Sequence, residues 1–263
     1  MVSQVHDEPE YDNKAIAFLE AVWGPGFLSP GGPEEVNRVI EGVNFDGAHV
    51  LDIGCGSGGI TCHLAREQPL AHITGFDVEQ PVIDAASRMA EGEGFGERVS
   101  FVKGEPGPLP FGDASFDIVF SKDAMIHVSD KEALFGEVHR VLRPGGVFVA
   151  SDWLISHDGE PSAQMKAYLA AEGLSFGMAS PRRYRVAMEK AGFVEARTRS
   201  RNEWYKVRAR EELDLMKGAL REKISALVGA PYLEKNIATW TAMLTVLESG
   251  EHCPTHLYAR KPG

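Results

Sequence analysis

The sequence predicts an α/β protein built on a doubly wound, mostly parallel sheet. Short apolar segments alternate with amphipathic segments from about residue 48 to residue 153. A glycine-rich turn, VLDIGCGSGG, joins the first apolar segment to a helical one. The 263 residues suffice for one large domain with an elaborated cap. Because strands separated by helices are joined by right-handed crossovers, this alternation is typical of a doubly wound sheet.

The segment before the sheet is predicted to be helical with one break. Tyr11, Ile16 and Val22 have helical spacing, and the run GPGFLSPGGPEE interrupts it. Pro33, followed by two glutamates, is typical of the start of a second helix. We therefore interpret residues 1–47 as an N-terminal helical lid.

The core is predicted over residues 48–153. Its strands are expected at AHVLDIG, AHITGFD, RVSFVKG, SFDIVFS and GGVFVASDW, and its helices at ITCHLAREQ, PVIDAASRMAEGEG and KEALFGEVHRVL. Beyond the core, residues 161–192 are expected to be helical around a loop at FGMASP, EARTRSR to be a strand, and residues 204–248 to form two or three helices. THLYARKP alternates like a final strand. Residues 154–263 are thus predicted to be a cap and closing strands of the same domain.

Composition excludes several functional classes. The net charge of −11 argues against sequence-independent nucleic-acid binding, which needs cations to meet phosphates. No apolar run approaches the ~20 residues of a membrane span, and the polar N-terminus lacks the features of a secretory signal. A cytoplasmic enzyme without membrane association is expected. The three cysteines and the histidines show no disulfide or metal-ligand spacing, so no metal is expected, and the oligomeric state is left open.

The glycine-rich turn is the strongest local signal for a ligand site. Asp52 closes a strand, and Gly54, Gly56 and Gly58 follow before a helix. Glycines at such a turn allow close approach of a ligand to the helix N-terminus, where backbone amides point outward. Asp77 ends the next strand, where its carboxylate can accept hydrogen bonds from two ribose hydroxyls.

This pattern has more than one interpretation. Gly54, Gly56 and Gly59 also satisfy the dinucleotide fingerprint G-x-G-x-x-G, so an NAD-dependent oxidoreductase is a rival, and glycines can simply make a tight turn. Three features favour a methyltransferase. Asp52 is placed to meet the amino group of a methionine moiety, and Glu105 follows the third strand, where it can reach an adenine amine. FDIVFSKDAMIH and VLRPGGVFVASDW also form a linked strand pair that a dehydrogenase does not require.

The motifs VLDIGCGSGG, FDIVFSKDAMIH and LRPGG, together with Asp77, resemble those of class I S-adenosylmethionine-dependent methyltransferases. The resemblance covers about residues 48–153. It implies a Rossmann-like, seven-stranded sheet whose last strand is antiparallel. It also implies S-adenosylmethionine as methyl donor and S-adenosylhomocysteine as product.

A narrower resemblance extends beyond the core. WGPGFLSPGG, SKDAMIHVSDKEALF and the ending DW are similar to phosphoethanolamine methyltransferases and to the related glycine, sarcosine and dimethylglycine methyltransferases. The resemblance implies that Tyr11 folds over the active site and that Asp123 and His127 belong to it. The cofactor-binding residues that the motifs and the resemblance indicate are Leu28, Ser29, Asp52, Gly54, Gly56, Gly58, Asp77, Val78, Glu105, Ser121 and Lys122.

Two departures from the phosphobase enzymes concern the acceptor. Those enzymes hold the phosphate with an arginine after the fourth strand and a lysine near the C-terminus, where pairing by eye puts Glu172 and Glu251. Phosphate would meet negative charge there, so phosphoethanolamine is expected to be a poor acceptor. An aromatic position that is usually tyrosine is Trp153 here.

The chemistry assigns roles to these residues. An ammonium has no lone pair, so a proton must leave before nitrogen attacks. We predict that His127 is the base, paired with Tyr11, and that Asp123 orients the amine. Trp153 and Tyr168 are predicted to line the substrate pocket, since aromatic faces attract methylated ammonium groups. The alternatives are that His127 and the aromatic residues are packed core and that Asp123 caps a helix.

The sequence thus predicts N-methylation of a small amine of ethanolamine or glycine type, with successive methylations allowed. Three alternatives stay open: phosphoethanolamine N-methylation, S- or O-methylation of a small metabolite, and cofactor binding without catalysis.

Overall fold

The structure is a computed structural model that describes residues 11–174 and 176–263. The predicted lid therefore lies within the described part only from Tyr11 onward. The helices are α1 (Asn13–Trp23), α2 (Gly32–Val39), α3 (Gly59–Glu67), α4 (Gln80–Glu93), α5 (Lys131–Val141), α6 (Ala163–Glu172), α7 (Pro181–Lys190), α8 (Asn202–Lys217), α9 (Arg221–Val228) and α10 (Ala230–Glu248). The strands are β1 (His49–Ile53), β2 (His72–Asp77), β3 (Val99–Lys103), β4 (Phe116–Lys122), β5 (Leu142–Ile155), β6 (Val194–Ser200) and β7 (His252–Arg260).

The seven strands form one sheet in the order β3-β2-β1-β4-β5-β7-β6. Strand β7 runs antiparallel to both of its neighbours, and the other pairings are parallel. The prediction of a mostly parallel, doubly wound, Rossmann-like sheet with an antiparallel last strand is confirmed. The predicted boundaries hold to within a few residues, although β7 begins three residues before the expected THLYARKP segment.

Apolar side chains pack on both faces of the sheet. One core cluster lies between the sheet and α5 and α7, with Phe135 and Met188 fully buried. A second lies against α2 and α3 on the other face, with Val36 and Leu64 at its centre. Because each face of the sheet is covered by helices, the central strands are apolar almost throughout, as parallel strands require.

A third cluster forms the cap over one end of the sheet. It joins the lid helix α1 to α6, α8, α9 and α10 through side chains such as Phe18, Tyr205 and Trp240. Three of these helices, α8 to α10, are inserted between β6 and β7, as the sequence predicted. Among the helices of the described ranges, none is long and apolar enough to cross a membrane.

Candidate active site

The strand order places a crevice between β1 and β4. The chain connects β1 to β2 on one side and β4 to β5 on the other, so the winding direction reverses between these adjacent strands. Ligands of open α/β sheets bind outside the carboxyl ends of the strands at such a point. Strand β1 ends at Ile53 and β4 at Lys122, so the glycine loop and the SKDAMIH segment meet there.

The glycine loop needs its glycines for this close approach. Gly54, Gly56 and Gly58 have φ angles of 74°, 52° and 89°, in the region that side chains disfavour. A Cβ atom on Gly54 would lie 2.1 Å from the Cβ of Ala124, in the SKDAMIH segment. One on Gly58 would lie 2.8 Å from the Cβ of Ala86, in α4. Glycine at these positions therefore sets the width of the crevice.

Asp77 stands at the end of β2 beside this loop. Its Oδ2 accepts a hydrogen bond from the Gly56 amide at 3.0 Å, and its Oδ1 accepts one from the Glu79 amide at 3.1 Å. Burial raises the pKa of the carboxyl, and the amide hydrogen bonds oppose that rise. The carboxylate is thus fixed in orientation and retains lone pairs for ribose hydroxyls. Val78, next in sequence, is partly exposed at the same edge.

Three other predicted cofactor-binding residues, Asp52, Ser121 and Glu105, make hydrogen bonds or ion pairs with other residues of the protein. The Thr61 hydroxyl donates to Asp52 at 2.6 Å, and burial raises the pKa of Asp52 to about 7. The Ser121 hydroxyl donates to the carbonyl of Ile53 at 2.8 Å and ties β4 to β1. Glu105 is 81% exposed and pairs with a neighbouring lysine. Their contacts with a cofactor stay predictions.

Lys122 connects the segment after the lid helix to β4. Its buried ammonium donates to Ser29 Oγ at 2.9 Å, to the Pro30 carbonyl at 3.0 Å and to Asp123 Oδ2 at 2.6 Å. Ser29 and the adjacent Leu28 are thereby held against the end of β4. Lys122 acts here as a tether, and its predicted cofactor contact stays a prediction.

Asp123 has a strained backbone in the crevice. Its φ of 54° is unusual for a residue other than glycine, and such strain is characteristic of functional sites. The amide of Asp123 donates to the Ser151 carbonyl at 2.8 Å, which fixes the residue against β5. Burial raises the pKa of its carboxyl, and the ion pair with Lys122 opposes that rise. Strand pairing thus offsets the cost of the left-handed conformation.

The lid is tied directly to the glycine loop by two residues that the sequence analysis did not single out. Glu20, on α1, accepts from the Gly26 amide at 2.9 Å and from the Ser57 hydroxyl at 3.1 Å. The Gly59 amide donates to the Gly26 carbonyl at 2.9 Å. A signal for Glu20 was present in the sequence, since it is the one acidic residue in the mostly apolar helix α1.

A cavity of about 450 Å³ opens beside the crevice, between the SKDAMIH segment and the cap. Six predicted site residues line it, and five of them, Tyr11, Leu28, Ser29, Asp123 and His127, come from three separate parts of the chain. Glu172 lines it too. Trp153, at the end of β5, lines it as well. The remaining described lining residues are Ala15, Phe18, Leu19, Trp23, Ile126, Ala171, Gly173, Leu174, Phe176, Tyr232, Lys235, Asn236, Thr239 and Trp240.

The predicted pair of Tyr11 and His127 lies together in this cavity. Their ring centroids are 6.3 Å apart with the planes at 78°. The His127 ring also meets Phe176 edge to face, with centroids 5.4 Å apart. His127 is therefore a cavity wall residue flanked by two aromatic rings.

Buried polar groups fix the turn Met125–His127. Asp152 Oδ1 accepts from the Ile126 amide at 3.2 Å, and its Oδ2 accepts from the Tyr184 hydroxyl. Lys131 donates to the carbonyls of Met125 and Val128 at 2.7 and 2.5 Å. Burial raises the pKa of Asp152 to about 6 and lowers that of Lys131 to about 8.

The sequence analysis missed Asp152 and Lys131. The signal for Asp152 was available, since one carboxylate within the apolar strand GGVFVASDWLI needs buried partners.

Of the two predicted substrate residues, Trp153 lines the cavity and Tyr168 does not. Tyr168 is fully buried and outside the described lining, and its hydroxyl donates to Glu172 at 3.0 Å. Burial raises the pKa of Glu172, which does face the cavity. The structure therefore corrects the placement of Tyr168: it positions Glu172 and does not touch the space that a substrate would fill.

Glu251, the second predicted replacement of a phosphate-binding cation, lies in a separate cleft. It accepts from the Ser162 amide at 2.7 Å and pairs with His157 at 3.1 Å, at the start of α6. Glu251 is thus not part of the acceptor cavity. Of the two glutamates, only Glu172 is placed where its negative charge would repel a phosphate on the acceptor. Among the described lining residues, Lys235 is the one lysine or arginine.

Comparisons with known proteins place these features in context. Residues 44–210 match the family described as a methyltransferase domain. The chain is 29% identical over 246 residues to phosphoethanolamine N-methyltransferase 1 of Arabidopsis thaliana, an alignment that covers 93% of this chain and 49% of that protein.

Two solved structures have similar folds. Phosphoethanolamine N-methyltransferase 2 of Haemonchus contortus, solved with phosphomonomethylethanolamine and S-adenosylhomocysteine, superimposes with a TM-score of 0.87 at 25% identity, covering 94% of this chain and 57% of that one. A putative sarcosine dimethylglycine methyltransferase of Galdieria sulphuraria superimposes with a TM-score of 0.81 at 22% identity, covering 95% and 97%. The chain spans about half the length of the curated relatives it matches.

Proposed function

This chain belongs to the methyltransferase-domain family, and we propose that it transfers the methyl group of S-adenosylmethionine to the nitrogen of a small amine, in the cytoplasm. One observation carries the proposal. Tyr11 lies more than a hundred residues before Asp123 and His127 in the sequence. All three nevertheless line one cavity beside the glycine loop, at the point where the winding of the strands reverses between β1 and β4. The NAD-dependent oxidoreductase rested on the match of the glycine-rich turn to the dinucleotide fingerprint. Membership of a methyltransferase family accounts for that turn without NAD.

The residues of the crevice fit the proposed methyl donor. Gly54, Gly56 and Gly58 have positive φ angles, and a loop backbone without Cβ atoms at these positions allows close approach of a ligand. Asp77 is held by two amides with lone pairs to spare for ribose hydroxyls. Asp52, under the loop, would meet the donor's amino group, and Glu105 and Val78 would meet the adenine.

S-adenosylmethionine supplies a methyl group on a positively charged sulfur, and the C–S electron pair stays on sulfur as the N–C bond forms. The protein has to remove a proton from the acceptor ammonium and aim its lone pair. His127 is the residue we assign to take that proton. Tyr11, on the lid and against the His127 ring, closes the cavity over it.

Asp123 is assigned to hold the acceptor amine. Its carboxylate faces the cavity and forms an ion pair with Lys122. It can therefore accept a hydrogen bond from the acceptor amine while Lys122 neutralises its negative charge. The strained backbone of Asp123 points to a position set by function, because stability alone would select glycine there.

The charges around the cavity favour an acceptor without a phosphate. The described lining offers Lys235, at an exposed position, as its one lysine or arginine. Glu172 adds a carboxylate to the lining, in addition to Asp123, whose charge the ion pair with Lys122 offsets. A unit charge on phosphate at ~4 Å from a carboxylate is repelled by about 4 kcal/mol at an intermediate dielectric. The names of the relatives support a second candidate, N-methylation of phosphoethanolamine, for which Lys235 would be the phosphate contact.

An acceptor comparison tests the proposal. Rates of methyl transfer are measured on ethanolamine, phosphoethanolamine, glycine and their mono- and dimethylated forms, for the native protein and for Glu172→Gln. We expect an unphosphorylated amine to have the highest specificity constant and Glu172→Gln to raise activity on phosphoethanolamine. A specificity constant for phosphoethanolamine tenfold above every other amine would establish the second candidate instead.

A further inference from the structure

The acceptor cavity is much larger than the acceptors considered so far. Even at the ~30 Å³ that one water occupies in the liquid, the four non-hydrogen atoms of ethanolamine take up roughly 120 Å³, about a quarter of the space. The cavity measures about 450 Å³, and pockets of ~300–1,000 Å³ ordinarily hold drug-sized ligands. Of the predicted cofactor-binding residues, Leu28 and Ser29 belong to the described lining, whereas Gly54, Gly56, Gly58 and Asp77 do not. Most of this volume therefore lies on the acceptor side of the crevice.

The excess volume is bounded by apolar rings from the lid and the cap. Phe18 and Trp23 on α1 meet Trp240 on α10, with ring centroids 5.8 Å apart in both pairs. Phe18 also meets Tyr232 edge to face at 5.7 Å. These four side chains all line the cavity.

The two tryptophans turn their polar atoms away from the cavity. Trp23 Nε1 donates to Glu212 Oε1 at 2.8 Å, and Trp240 Nε1 donates to Glu212 Oε2 at 3.0 Å. Glu212 is 6% exposed and lies outside the cavity lining. Because one buried carboxylate takes both indole N–H groups, the rings present apolar surface to the cavity and no donor that a polar acceptor could use.

We propose that the acceptor is an amine with a bulky apolar substituent, of the arylalkyl or long alkyl class. Its nitrogen lies at Asp123 and His127, and its substituent lies in the cavity against the wall that Phe18, Trp23 and Trp240 form together. The inference rests on the proposed function and narrows its substrate. A small amine would leave most of the cavity to water, whereas an apolar substituent displaces that water from the apolar side chains of the lining.

Two measurements test the inference on the native protein. In the first, amines are titrated in the presence of S-adenosylhomocysteine and tryptophan fluorescence is followed, since three of the four tryptophans line the cavity. Phenethylamine should bind at least tenfold more tightly than ethanolamine or glycine. In the second, specificity constants are compared from propylamine to hexylamine. They should rise about fourfold per methylene, the equivalent of ~0.8 kcal/mol per buried CH₂.

A matched pair of variants separates the cavity from non-specific binding of apolar amines. Ala15 lines the cavity from α1, and Ala15→Phe would occupy its apolar part. Asn13→Phe places the same ring at an exposed position of the same helix. We expect Ala15→Phe to lower the ratio of specificity constants, phenethylamine over ethanolamine, at least tenfold, and Asn13→Phe to leave that ratio as it is.

Two results would overturn the inference and leave the proposed function standing. One is binding of ethanolamine or glycine at least as tight as that of phenethylamine. The other is a specificity constant that stays flat or falls along the alkyl series. If no amine accepts a methyl group, the proposed function fails, and the fluorescence titration still decides whether the cavity selects apolar amines. If Ala15→Phe fails to fold, the native protein's two measurements decide alone.

Discussion

Replacing Asp152 by alanine should both destabilise the protein and slow its reaction. Asp152 is fully buried and accepts from the Ile126 amide and the Tyr184 hydroxyl. Each buried donor left without an acceptor costs about 1–3 kcal/mol, so Asp152→Ala should lower the free energy of unfolding by about 2–6 kcal/mol. A domain with ~5–15 kcal/mol of stability can survive the lower end of that range.

The expected fall in reaction rate depends on the turn that contains Ile126. Ile126 lies within the turn Met125–His127, so loss of its anchor frees the His127 ring to move in the cavity. Displacing a reacting group by ~1 Å can cost on the order of 100-fold in rate. We therefore expect kcat to fall by about 10- to 100-fold, while affinity for the methyl donor changes little because the glycine loop keeps its own hydrogen bonds.

The conservative variant Asp152→Asn is the matched control. Its amide oxygen can still accept from Ile126, so most of the turn's position and most of kcat should be retained. Urea unfolding gives the stability of both variants, and calorimetric titration with S-adenosylhomocysteine gives donor affinity. The reasoning would be refuted if folded Asp152→Ala kept the native kcat, or if Asp152→Asn lost as much activity as Asp152→Ala.

Three further predictions concern the base, the donor site and the cap. His127→Ala and Tyr11→Phe should both lower turnover, His127→Ala by about 10²–10⁴-fold, while affinity for the methyl donor is retained. If His127→Ala kept most of the activity, His127 would be a packing residue and not the base. Asp77→Ala should weaken donor binding by about 1.5–3 kcal/mol, roughly 10- to 150-fold by calorimetry, and unchanged affinity would exclude the ribose role. Burial raises the pKa of Glu212 to about 7, above its usual 4.5. The folded state thus holds a proton that the unfolded state has lost, and this contribution to stability is full below pH ~4.5 and disappears as pH rises through 7. Relative to Glu212→Gln, the native protein should lose about 3 kcal/mol of unfolding free energy over that window in urea titrations, and parallel pH profiles would contradict the assignment.

Local sequence signals were sufficient to predict the sheet and the crevice. The alternation of apolar and helical segments predicts the right-handed crossovers between parallel strands. The glycines of VLDIGCGSGG identify the strand end that borders the crevice. The placement of Tyr11, Asp123 and His127 around one cavity was predicted through a family resemblance, since no spacing rule relates Tyr11 to residues more than a hundred positions later.

The features that sequence reasoning missed depend on contacts between distant elements. Glu212 is one carboxylate among many on α8, and only its position between Trp23 and Trp240 distinguishes it. Tyr168 and Glu172 share one turn of α6, yet only the glutamate reaches the cavity. The resemblance aligned Glu251 with the acceptor site, but the turn before β7 places it in another cleft, where it accepts from the Ser162 amide. Tertiary packing decides which side of a helix or turn faces a cavity, and the spacing of residues in the sequence does not reveal that packing.

The most direct test of N-methylation is transfer of a ¹³C-labelled methyl group from S-adenosylmethionine to an amine acceptor, with the product identified by NMR. The proposed function predicts a labelled N-methyl resonance and stoichiometric formation of S-adenosylhomocysteine with the native protein. Both should form at least about 100-fold more slowly with His127→Ala. A label attached to oxygen, sulfur or carbon of the acceptor, or donor binding without turnover on any amine, would contradict it.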